Sequence, residues 1–60
     1  MKIFLVIDRS GRIFKPTYMN QKEVFKLIDA DSYDKKEISK LYPGEEYNEA
    51  VFAIKIVRIS

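Results

Sequence analysis

Cysteine and histidine are both missing from the 60-residue chain. Without cysteine there is no disulfide framework of the kind small secreted domains rely on, and no thiol nucleophile. Without histidine the commonest general base and the commonest zinc ligand are gone. Glycine occurs only at Gly11 and Gly44, so no glycine-rich loop cradles a phosphate. Long apolar runs are missing too: residues 3–7 form the longest N-terminal one, five residues long. A signal peptide needs roughly 7–15 and a membrane helix about 20. These gaps predict a chain that does not engage a membrane and works in a reducing, aqueous compartment, the cytoplasm.

What is present is globular. Hydrophobic residues make up 47% and charged residues 33%, far from the signature of disorder. The length allows one domain over residues 1–60, and the chain reads as a complete small protein or minimal domain. So short a chain hides only about 60% of its unfolded surface. The net charge of +2 is small but unevenly spread. Residues 1–28 hold six cations against two acids, roughly +4, whereas residues 29–49 hold seven acids against three lysines, roughly −4.

Secondary structure follows from periodicity and punctuation. Residues 2–8 read as a strand, and Asp8-Arg9-Ser10-Gly11 as a tight turn with Gly11 left-handed. A second strand is expected at 12–15, closed by Pro16, with Asp8 facing Arg12, Ile7 facing Ile13 and Val6 facing Phe14. Two capping boxes come next. Asn20 with Glu23, stapled by Met19 and Val24, opens a helix at about 21–30. Asp34 with Glu37, stapled by Tyr33 and Ile38, opens another at about 35–42, ended by Pro43-Gly44. Residues 50–59, rich in Val, Ile and Phe, read as the last strand. The expected fold is therefore a small α+β domain in the order ββααβ. Its three-stranded sheet joins an N-terminal hairpin to the C-terminal strand, with the first strand central and two short helices on one face.

Such a sheet is apolar on both faces. Ile3, Leu5, Ile7 and Ile13 share one, and Phe4, Val6 and Phe14 the other. The last strand divides into Phe52, Ile54 and Ile56 against Val51, Ala53, Val57 and Ile59. Two short helices cover one face. The expected uncovered face carries Phe4, Val6, Phe14, Val51 and Val57, unless loops 16–19 and 43–49 fold over it with Tyr18 or Tyr47 as lids.

Candidate chemistry is sparse. Ser10, Ser32 and Ser39 have no base to activate them. Glu45 and Glu46 are paired carboxylates without the interior that would separate their pKa values. The acidic stretch 29–34 fails as a calcium loop, because Tyr33, Asp34 and Lys40 stand at positions five, six and twelve. The sequence thus predicts no enzyme, no metal and no cofactor. It predicts a small protein-binding module, an adaptor or inhibitor that regulates a larger protein. The expected contact residues are Phe4, Val6 and Phe14 on the sheet, Arg9, Arg12 and Lys15 at the basic hairpin, and Glu45 and Glu46 on the acidic side. A nucleic-acid partner read by Arg9, Arg12 and Lys15, with Phe4 and Phe14 stacking on bases, is the rival. A homodimer that buries the second sheet face is the third reading.

Overall fold

The computed structural model describes residues 1–12 and 14–60. Its elements are β1 (Ile3–Asp8), β2 (Thr17–Asn20), α1 (Gln21–Leu27), α2 (Ser32–Ser39), β3 (Glu46–Glu49) and β4 (Ile54–Arg58). The α+β class agrees with the sequence, but the sheet has four strands, not three, in the order β2-β1-β4-β3. Every neighbouring pair is antiparallel. The first strand is central, as its apolar run predicts. No helix among the described residues is long and apolar enough to cross a membrane.

The first hairpin departs from the expected register. The turn itself forms: Gly11 N donates to Asp8 O at 3.0 Å, with Gly11 at φ 69°. The Asp8 carboxylate accepts from the Ser10 amide at 2.9 Å and the Ser10 hydroxyl at 2.6 Å. Pairing does not resume at Arg12, however. Val6 faces Thr17 and Phe4 faces Met19, so the strand begins just after Pro16 instead of ending before it. The longer loop lets Phe14 pack against the core instead of opposing Val6. It also runs β2 straight into the Asn20 cap of α1. Ile13, the expected partner of Ile7, lies outside the described residues.

Helix α1 starts where its sequence predicts. The Asn20 side chain accepts from Glu23 N at 2.8 Å, and Glu23 accepts from Asn20 N at 3.0 Å. It ends earlier than expected, in a Schellman closure in which Ala30 N donates to Phe25 O at 2.9 Å and Asp29 takes φ 50°. Helix α2 begins three residues before the expected start. Asp31, not Asp34, is the N-cap, and Asp34 occupies the position that reaches back to it. The expected last strand is likewise corrected. Residues 50–53 are a turn, and the neighbouring strand β3, unexpected from the sequence, pairs Tyr47 with Ile56 and Glu49 with Ile54.

The core joins one face of the sheet to both helices. Phe4, Val6, Ile54 and Ile56 pack with Val24 and Ile28 from α1 and its C-cap and with Ile38 and Leu41 from α2 and its exit. Helix α1 lies over β1 and β2, and α2 lies against β3. Each helix is too short to nucleate alone, so its amphipathic face is stabilised by this burial.

Candidate functional site

Side chains alternate along a strand, so the buried set defines the other set by exclusion. Phe4 and Val6 are 0% exposed, beneath the helices. The expected uncovered face is therefore reversed. The helices took the face carrying Phe4 and Val6 because Ile54 and Ile56 share it, which makes it the more apolar of the two. Phe14 is half-buried against the same core. Val57, grouped with Phe4 in the sequence reading, lies on the opposite side.

That outer face is built from alternate residues of all four strands. Its central row runs Tyr18, Leu5, Val57 and Glu46 across β2, β1, β4 and β3, and the next row holds Ile7, Lys55 and Asn48. Ile3, Leu5, Ile7 and Val57 are only partly covered, while Tyr18 is 67% and Ile59 45% exposed. Toward β3 the face turns polar. Lys55 Nζ lies 3.4 Å from a Glu46 carboxylate oxygen, and Asn48 Nδ2 donates to the other at 3.1 Å. Tyr18 is exposed on this face, whereas Tyr47 points to the core side.

The remaining candidates separate. Arg9, Arg12 and Lys15 are all exposed on the loop between β1 and β2. Arg9 N is held by Ala53 O at 2.9 Å. Phe4 cannot stack on a base, so the aromatic platform imagined for that loop is missing one of its two rings. Glu45 and Glu46 do not act as a pair. Glu45 Oε1 accepts from Tyr42 N at 2.8 Å and closes the Pro43-Gly44 turn, while Glu46 stands on the outer face. Among the described residues no group of three or more carboxylates is placed to hold a metal ion.

Three polar residues missed in the sequence hold the acidic side together. Glu49 is buried, and its two oxygens accept from Val51 N and Phe52 N at 2.8 Å each. The Tyr47 hydroxyl donates to Asp34 Oδ1 at 2.5 Å. That hydrogen bond, then burial and the Asp34 charge, push the Tyr47 hydroxyl well above its usual range. Arg58 Nη1 donates to Leu41 O at 2.6 Å, at the exit of α2. Residue type alone does not mark these bonds in advance: Glu49 acts within its own turn, Arg58 reaches from β4 to the exit of α2, and Tyr47 meets Asp34 only because strand β3 forms.

Compared with known proteins, the chain matches no family model, no curated protein and no solved structure.

Proposed function

We propose that this chain is a small non-catalytic protein-binding module, an adaptor or regulator of a larger protein, working in the cytoplasm. The outer face of its sheet is the docking surface. The observation that carries this reading is the exposure of that face. Ile3, Leu5, Ile7 and Val57 lie side by side on it with Tyr18 and Ile59, and neither helix covers them. A contiguous apolar strip with a polar margin suits a protein interface, where buried aliphatic and aromatic groups supply the energy and the rim sets the orientation. Tyr18 is the anchor of the strip, because an exposed tyrosine loses little entropy on docking. Glu46 and Lys55 form the rim. Phe4, Val6 and Phe14 support the surface from behind, and Glu45 fixes the turn beside it.

The test is affinity capture from the lysate of the native cell, comparing the natural chain with Tyr18→Ala, Leu5→Thr and a chain carrying Arg9→Ala, Arg12→Ala and Lys15→Ala together. A protein retained by the natural chain and by the triple variant, but reduced about tenfold by the outer-face changes, supports the module. Circular dichroism checks that each variant is folded. Capture that disappears with nuclease or with the triple variant transfers the function to the basic loop and nucleic acid. Light scattering that rises with concentration, and falls for Tyr18→Ala, makes a second copy the occupant.

A further inference from the structure

The two free edges of the sheet differ in what their backbones offer. Ile59 N donates to Ile3 O at 2.8 Å and Arg9 N to Ala53 O at 2.9 Å, so odd-numbered residues of β1 face β4 and even-numbered ones face β2. In the observed register this turns Thr17 and Met19 toward β1 and Tyr18 and Asn20 outward. The Asn20 amide is already held by Glu23 at 3.0 Å, and Pro16, the next outward position, has no N–H. The β2 edge is closed except at Tyr18.

The β3 edge is open. Arg58 N donates to Glu45 O at 2.9 Å, which by alternation turns the backbones of Tyr47 and Glu49 toward β4. The N–H and C=O groups of Glu46 and Asn48 then point away from the sheet, on a strand with no proline. This is also the acidic side of the molecule, formed by the residues that carry the negative half of the charge. Glu46 stands on the outer face, and its pairing with Lys55 is solvent-exposed and readily exchanged.

We propose that the β3 edge receives an extended, lysine- or arginine-bearing segment of the protein partner as a fifth strand. The inference rests on the docking reading above and extends it, because an added strand would lengthen the same outer face. Backbone hydrogen bonds to Glu46 and Asn48 give the pairing, and a cation beside Glu46 gives the selectivity. A second copy of β3 is disfavoured at this edge. It would set Glu45, Glu46 and Glu49 of one chain against the same acids of the other.

The probe is an eight-residue peptide of alternating lysine and valine, with its glutamate–valine counterpart as control, titrated into isotope-labelled protein. In the free chain the amides of Glu46 and Asn48 should exchange rapidly and those of Tyr47 and Glu49 slowly. The lysine peptide should shift resonances at 46–49 and slow the Glu46 and Asn48 amides. Glu46→Lys, and independently Asn48→Pro, should weaken it about tenfold, the first by reversing charge and the second by removing an outward N–H. Equal binding of the glutamate peptide, shifts centred on β2, or amides of 46 and 48 that stay fast with the lysine peptide would overturn the proposal. If Tyr18→Ala still abolishes capture of the protein partner while the peptide leaves those amides fast, the edge inference falls and the docking surface stands.

Discussion

At the scale of single residues, the acidic half of the chain is fastened by side chains that act as backbone substitutes. Glu49 does for the turn at 50–53 what main-chain carbonyls do elsewhere, occupying two amides that would otherwise be unpaired. Tyr47 ties the missed strand β3 to the first turn of α2 through Asp34. Replacing Tyr47 with Phe should cost about 1–2 kcal/mol, measured by urea unfolding near neutral pH. The same bond sets an alkaline limit. Because folding holds the Tyr47 hydroxyl above its ordinary range, the folded chain keeps a proton that the unfolded chain releases. The stability gained is intact below about pH 10, the unfolded tyrosine value, and declines as pH rises past it. Unfolding curves between pH 8 and 11 should show this decline in the natural chain and a smaller one in Tyr47→Phe. Equal slopes in the two would show that the bond does not form.

At the scale of elements, substitutions at two positions, Asp31 and Ala53, probe where the chain departs from what the sequence suggested. Asp31 and Asp34 stand three apart, and so do Asp34 and Glu37, giving two overlapping frames for a capping box. The later frame has the better third residue and a hydrophobic staple. The earlier one prevails, because it puts Asp34 on the helix side that meets the Tyr47 hydroxyl. Asp31→Ala should therefore cost about 1 kcal/mol, and Asp31→Ser should recover most of it. A neutral Asp31→Ala would return the helix start to Asp34. The β3–β4 hairpin was illegible for a different reason. Its turn contains Ala50, Val51, Phe52 and Ala53, with none of the Gly, Asn or Asp signals of a hairpin. Ala53 nonetheless takes φ 55°, a glycine's conformation. Ala53→Gly should raise stability by about 0.5–1 kcal/mol, visible as a higher urea midpoint with unchanged slope. By contrast, the Asn20 box, the Gly11 turn and the central position of β1 were legible, because local spacing or an uninterrupted apolar run decides each. Which sheet face the helices would cover was not. That choice depended on Ile54 and Ile56 sharing a side with Phe4 and Val6, and hence on a long-range register that no local signal contains.

At the scale of the whole molecule, the consequence of the order β2-β1-β4-β3 is that the two ends of the described chain meet in the middle of the sheet. Ile3 N donates to Ser60 O at 3.2 Å, and β1 pairs with β4 along its length. The central strands are therefore the farthest apart in sequence, while the two hairpins that are local supply only the edges. Closing so long a loop before its contacts form is entropically slow. Joining Ser60 to Met1 through a short Gly/Ser linker, and opening the chain between Gly11 and Arg12, reverses that relation. Strands β3, β4 and β1 become one consecutive meander, and only the four-residue edge strand β2 has to return from a distance. The opened bond lies between two exposed residues, Gly11 and Arg12, and leaves Phe14 joined to β2 where it packs against the core, so the permuted chain should keep its fold and most of its stability. Its refolding should be about tenfold faster in stopped-flow measurements, by the loop-closure term alone. An unchanged rate would mean that the β1–β4 pairing is not the slow step, and that one of the local hairpins or helix docking limits folding instead.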